Sequence, residues 1–124
     1  MIMGLDMFLF RVKDDDKVDE LFYWRKAYPI MDWFEEHYDG IGNLEDYPVD
    51  KEDLTALREF CINIIAEGNF HEMDSFKSIE WTSEYELKEW SDYHMDYVKS
   101  TKSFLDGFLK DNEDWENIIF KAWW

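Results

Sequence analysis

Tyr23-Trp24-Arg25-Lys26-Ala27-Tyr28-Pro29-Ile30-Met31-Asp32-Trp33-Phe34 decides the fold of this chain, because it carries the passage from a strand into a helix. Proline has no N–H and clashes with the carbonyl four residues back, so Pro29 belongs in a first helical turn. The helix is therefore expected to open near Lys26 to Tyr28 and run to about Tyr38, with Asp39-Gly40 as its stop. Ile30, Trp33, Phe34 and His37 recur at helical spacing and form the expected inward stripe, while Asp32, Glu35 and Glu36 face water. Ahead of it, Leu21-Phe22-Tyr23-Trp24 is aromatic and strand-like. Arg25 and Lys26 stand at the corner, either as ligand contacts or paired with the carboxylates that surround them in the sequence. The pairing is the expectation.

Toward the N-terminus, Met3 to Val12 reads as a strand with Leu5, Met7 and Leu9 on one face and Phe8 and Phe10 on the other, which predicts an interior position. Asp6 interrupts the pattern and either sits at an edge or needs hydrogen-bond partners, for which Arg11 and Arg25 are the candidates. Lys13-Asp14-Asp15-Asp16-Lys17 reads as a solvated turn. It lacks the spaced acids, glycine and distal glutamate of a calcium loop.

Toward the C-terminus, Asp39 to Asp50 is a loop punctuated by Gly40, Gly42, Asn43 and Pro48, with Tyr47 to Val49 as a short edge strand. Asp50 has the place of an N-cap and Asp53 completes a capping box. The helix Lys51 to Glu67 follows, with Leu54, Leu57, Cys61, Ile64 and Ile65 inward, Phe60 beside them, and Gly68-Asn69 as its end. Phe70 to Ile79 reads as irregular, and Glu80-Trp81 as the end of a strand. Thr82 or Ser83 caps the longest helix, from about Glu84 to Leu109. Its apolar arc holds Leu87, Trp90, His94, Tyr97, Val98, Thr101, Phe104, Leu105, Phe108 and Leu109, and Gly107 weakens its last turns by about 1 kcal/mol relative to alanine. Trp115 to Trp124 reads as a closing strand pairing with Met3 to Val12, Trp123 and Trp124 pointing to opposite faces. The expected fold is α+β: one domain over residues 1–124, a small antiparallel sheet covered by about three helices.

Composition bounds the function. With 124 residues, 46% apolar and 19% aromatic, the chain can bury roughly two thirds of the surface that it exposes when unfolded. Its 13 basic and 30 acidic residues give a formal charge of −17. That disfavours direct nucleic-acid binding, which needs a basic footprint, and anionic membranes. It favours solubility and attraction to a basic partner. The single cysteine, Cys61, has the place of a small core residue and forms no internal disulfide. No signal peptide or membrane span is legible, so a cytoplasmic location in the host cell is expected.

No nucleophile elbow, phosphate-binding glycine loop or two-histidine zinc helix is present, and two carboxylates among so many carry no catalytic meaning, so a non-catalytic role is expected. His37, His71, His94 and Cys61 lack metal-ligand spacing. No cofactor is expected, and a structural zinc held by two histidines and carboxylates is the alternative left open. Glu89, Asp92 and Asp96 lie opposite the apolar arc of the long helix, their attachment points about 4.5 and 6 Å apart along the axis. Such a row either is a solvated face, partly neutralised by Lys88 and Lys99, or imitates a phosphate backbone toward a basic nucleic-acid channel. Two further acid-rich runs accompany it. Asp39 to Asp53, with Glu45, Asp46, Glu52 and Asp53 as candidate contacts, holds six acids against Lys51, and Asp106 to Glu116 holds five against Lys110.

Met3-Gly4-Leu5-Asp6-Met7-Phe8-Leu9, followed by Tyr23-Trp24-Arg25-Lys26-Ala27 and Trp33-Phe34, resembles a family of small phage and prophage proteins. The similarity continues through Val49-Asp50-Lys51-Glu52-Asp53-Leu54, Thr82-Ser83-Glu84-Tyr85 and the Trp-terminated tail. The family pattern has Asn and His where this chain has Tyr28 and Met31. The resemblance implies a phage origin and carries no established activity. Phage genomes encode small acidic inhibitors of host defence, anti-CRISPR proteins among them, and the charge agrees with that role. The expected function is a phage-encoded protein that occupies the basic surface of a host nucleic-acid enzyme, foremost a CRISPR effector nuclease. The alternatives are a structural or self-assembling phage protein that uses Trp123 or Trp124, and a metal-dependent enzyme or metal-stabilised fold.

Overall fold

A computed structural model describes residues 4–14 and 17–124. Its four-stranded antiparallel sheet has the order β2-β1-β4-β3, built from β1 (Asp6–Val12), β2 (Val18–Arg25), β3 (Tyr47–Pro48) and β4 (Ile118–Trp123). The expected interior position of the first strand is found: β1 lies between β2 and β4. The expected aromatic strand at Leu21 is longer than its sequence signal, because β2 forms a hairpin with β1 across the Lys13–Lys17 turn. Lys13 N–H closes that turn onto Lys17 O at 2.7 Å. Asp15, Asp16 and Met3 lie outside the described residues. A bulge between Leu9 and Phe10 sets Phe10 opposite Glu20 rather than Leu21, re-aiming the outer half of the hairpin.

Alternation divides the sheet into two faces. Met7, Leu9, Trp24, Ile118, Phe120 and Ala122 are buried beneath the helices. Phe8, Phe10, Tyr23 and Ile119 lie on the opposite face and belong neither to the core nor to the shell packed on it. The apolar character of both faces of β1 therefore does not mean cover on both. Phe8 instead meets Tyr23 at 5.1 Å, and Lys121 Nζ stands 5.9 Å from the Phe10 ring centre. Trp123 is 56% and Trp124 42% exposed. The alternation stops at buried Ala122, so both tryptophans reach solvent rather than one.

Four helices form the other layer: α1 (Tyr28–His37), α2 (Lys51–Glu67), α3 (Asp74–Lys77) and α4 (Glu84–Asp111). Pro29 sits in the first turn of α1 as expected, and Asp39 and Gly40 carry positive φ beyond its end. The inward stripe of α1 is Ile30, Met31 and Phe34; Trp33 is half-buried and His37 lies at the surface. Phe34 stacks on Phe120 of β4 with ring centres 3.7 Å apart, and this contact turns α1 so that Met31 faces inward. α2 has both halves of its capping box, Asp53 N–H to Asp50 and Asp50 N–H to Asp53, each at 2.9 Å, and it ends on Gly68 at φ 75°. Ser83, not Thr82, caps α4 through Glu86 N–H at 3.1 Å.

Two other expectations are corrected. Phe70 to Ile79 contains α3, and Phe70 is fully buried. α3 has no side-chain cap of its own; Asp32 of α1 accepts the Ser75 N–H at 2.8 Å instead, a cap supplied from another helix. Glu80-Trp81 forms no strand, and Trp81 packs against Phe76 and Trp90. Asp6 accepts a hydrogen bond from the Tyr23 hydroxyl, not from an arginine. Arg11 reaches the end of α4 through Asn112 at 2.6 Å and the Asp114 carbonyl at 2.9 Å. Arg25 and Lys26 form no ion pair with a described carboxylate, contrary to the expectation from their acidic surroundings. Among the described residues, no helix is long and apolar enough to cross a membrane.

Candidate functional site

The acidic row on α4 is built on a rigid support. The helix spans 28 residues and buries His94, Val98, Thr101 and Leu105. Glu89, Asp92 and Asp96 are exposed on its free side. Asp92 is paired with Lys88 at 2.6 Å, an exposed i,i+4 bridge of the kind that solvent and salt screen strongly. Glu89 accepts the Tyr85 hydroxyl at 2.9 Å. Asp96 makes no hydrogen bond or ion pair with a described residue. The Lys88 bridge is weak and open to water, so a cationic partner can displace it at little cost.

The second predicted group is more committed to structure. Glu45 accepts the Tyr47 hydroxyl at 2.9 Å, and Asp46 pairs with Lys121 at 3.0 Å. Asp53 closes the capping box and also meets His37 Nε2 at 2.7 Å. Burial pushes the Asp53 carboxyl up, but the hydrogen bonds from His37 and Asp50 outweigh it and hold the group below the usual carboxylate range. Of the four, Glu52 alone is exposed without such a partner among the described residues. No hydrogen bond or ion pair among the described residues links this group to the row on α4.

The fold gathers a third set of carboxylates, of which the sequence reading placed Asp32, Glu35 and Glu36 toward water and assigned no role to Glu72 and Asp74. A cleft of about 370 Å³ between α1 and α3 is lined by Asp32, Glu35, Glu36, Glu72 and Asp74, with Met73. Glu36 also lines the neighbouring groove of about 700 Å³ between α1 and α2, with Trp33, His37, Glu59, Phe60 and Asn63. The cations close to this surface are few: Lys77 reaches Glu72 at 3.7 Å. Burial pushes the Asp32 carboxyl up, and the hydrogen bonding with Ser75 partly offsets it. The signal for this cluster was present in Asp32, Glu35 and Glu36. What the sequence withheld was α3, which brings Glu72 and Asp74 alongside.

Among the described residues, no group of three or more His, Cys, Asp or Glu side chains is placed to hold a metal ion. His37 is bound to Asp53, His71 is exposed, and His94 is enclosed by aromatic rings. Cys61 is buried, and burial pushes its thiol up to about 12, which leaves it protonated and unreactive. Compared with known protein families, characterised proteins and solved structures, the chain matches none.

Proposed function

We propose that this chain is a phage-encoded acidic binding protein that inhibits a host nucleic-acid enzyme, foremost a CRISPR effector nuclease, by occupying a basic surface that otherwise holds nucleic acid. The observation that carries this reading is the exposed row Glu89, Asp92 and Asp96 on a helix too well packed to yield. The phage assignment rests on the sequence resemblance. The carboxylates at α1 and α3 extend the negative field and steer a basic partner toward the molecule. Inhibition here is by occupation, with no chemical step.

The test is a pull-down from host lysate at low and moderate salt, with bound proteins identified by mass spectrometry. A nucleic-acid enzyme is expected, retained less as salt rises and displaced by its own guide or target strand. Reversing Glu89, Asp92 and Asp96 together to lysine is expected to abolish that capture while the far-ultraviolet circular dichroism stays native. Unchanged capture by the triple variant sinks the assignment to α4.

A second reading has its own support. Phe8, Phe10, Tyr23 and Ile119 lie half-buried on the outer sheet face with exposed Trp123, and the next residue, Trp124, is exposed as well. Self-association through that face would join two copies of like charge, so it strengthens with salt, the reverse of the first reading. Sedimentation is expected to show a salt-promoted rise in mass that is lost when residues 123–124 are removed; a constant monomer mass eliminates it.

A further inference from the structure

A second cleft adjoins the acidic one and shares Asp32 and Asp74 with it. It has a volume of about 550 Å³, and its apolar walls are Tyr28 of α1, Ile79 beyond α3 and Trp90 of α4. Pockets that hold small organic molecules have volumes of about 300–1,000 Å³ and this mixture of aromatic wall and few polar groups. The Trp90 wall is set before any ligand arrives. Its ring meets His94 at 4.2 Å, Phe70 at 5.4 Å, and Phe76 and Trp81 at 5.6 Å each, so packing leaves it little freedom to turn.

The polar groups of the cleft are neighbours of one another. Asp32 accepts the Ser75 N–H at 2.8 Å, and Asp74 precedes Ser75 in α3. The Ser78 hydroxyl is taken by the Ser75 carbonyl at 3.2 Å. The Ser75 hydroxyl oxygen, which also lines the cleft, is buried and has no hydrogen-bond partner among the described residues. Buried hydroxyls nearly always have one, so a partner is missing here. Asp32 is half-buried; burial pushes its carboxyl up, and the Asp74 charge adds to the shift. No described lysine or arginine pairs with either carboxylate. The second fact is common on this surface; the first is what sets Asp32 apart from the solvated acids. Water is partly withheld from it, so a cation placed beside it gains more than one on the open surface.

We propose that this cleft binds a small organic cation, a primary ammonium carried on an aromatic or aliphatic body. An ammonium has three N–H donors and no acceptor. The carboxylates of Asp32 and Asp74 and the Ser75 hydroxyl oxygen are three acceptors on neighbouring residues. The body of the ligand lies against Tyr28, Ile79 and Trp90, and aromatic ring faces also attract the cation. The same two carboxylates exclude anions. This inference goes beyond the inhibitory reading and does not need it: Glu89, Asp92 and Asp96 line no part of the cleft, so failure of either leaves the other standing.

The test is titration of the whole protein with phenethylammonium chloride against sodium chloride of matched ionic strength, observed at the Trp90 indole and the Ser75 and Ile79 amide resonances. Saturable shifts are expected there. Phenethyl alcohol, which has the body without the charge, and ammonium chloride, which has the charge without the body, are each expected to bind at least about tenfold more weakly. Asp32→Asn keeps an oxygen to accept the Ser75 N–H, so α3 stays docked while the charge is lost. It is expected to weaken binding about tenfold, the loss of one charge-assisted hydrogen bond. Asp74→Asn, at an exposed position that carries no packing, is expected to weaken it severalfold. Glu113→Gln, beyond the far end of α4, removes the same charge from the chain and is expected to change nothing. Shifts that rise linearly, saturation by phenethyl alcohol at equal affinity, or affinity that survives both Asp32→Asn and Asp74→Asn overturn the proposal.

Discussion

Replacing Trp24 with alanine is expected to remove about 3–5 kcal/mol of stability, the range for deleting a large aromatic side chain from a packed core. Trp24 is fully buried and is the node at which the sheet meets the helices. Its ring lies 4.9 Å from Phe22, 6.0 Å from Phe34 and 6.3 Å from Phe120, and each pair is edge-on. Its Nε1–H donates to Thr101 Oγ1 at 2.8 Å, a buried bond between β2 and α4. Since domains of this size have only about 5–15 kcal/mol in total, the variant should approach its unfolding midpoint at mild urea concentration. Thr101→Val tests the polar part separately. It keeps the shape but leaves the indole N–H unpaired in an apolar site, at about 1–3 kcal/mol. Urea unfolding followed by circular dichroism measures both. A loss below about 1 kcal/mol for Trp24→Ala, the size of an average substitution, would mean that the layers are held elsewhere.

Where the determinants are local, the sequence is a sufficient guide. α2 begins and ends where Asp50, Asp53 and Gly68 put it, because a capping box and a left-handed cap are short-range rules. The start of α4 at Ser83 follows for the same reason, and its interior follows from one unbroken apolar arc. The misreadings all involve residues decided by a distant partner. His37 has the spacing of an inward residue on α1, but Phe34 stacks on Phe120, which rotates Met31 inward and leaves His37 to bind Asp53. α3 is a single turn capped by Asp32 from another helix, so no local pattern announces it. Phe70 is buried by Trp90 and His94, with ring centres 5.4 and 6.3 Å away, in a stretch without periodicity.

The same distinction applies to the charged surface. The row Glu89, Asp92 and Asp96 is legible because helical geometry alone aligns it. The carboxylates of α1 become a cleft only when α3 docks, whereas Asp53 is structural already through its capping box, and what the sequence does not show is His37 engaging the same carboxylate. The unpaired state of Arg25 and Lys26 runs against composition, which in so acidic a chain predicts neutralisation. The hairpin instead presents both to solvent at the corner before α1, while Asp6 is occupied by Tyr23.

Stability is expected to fall as the pH is lowered from about 6.5 to 4, by up to about 3 kcal/mol from one residue, His94. The side chain is 3% exposed, and its Nδ1 is buried without a hydrogen-bond partner. It is walled by Trp90 at 4.2 Å, Tyr93 at 5.0 Å, Tyr28 at 6.1 Å and Phe70 at 6.3 Å. Among the described residues no carboxylate bonds to its ring to stabilise a cation, and burial pushes its pKa down to about 4. Between that value and about 6.5 the unfolded chain binds the proton and the folded one does not, so each step down in pH favours unfolding. Above 6.5 the stabilisation is complete, and below 4 it is gone. The Asp53 carboxyl is shifted down, so its contribution is lost only as the pH falls below about 3.8, in a separate window. His94→Phe keeps an aromatic ring in the cage and removes the titration, so its stability should stay nearly level from pH 6.5 to 4 relative to the parent chain. Urea midpoints at four or five pH values suffice for the comparison. Parallel pH profiles for the two proteins would mean that His94 accepts its proton within the folded state, and that the aromatic cage opens to admit water at no great cost.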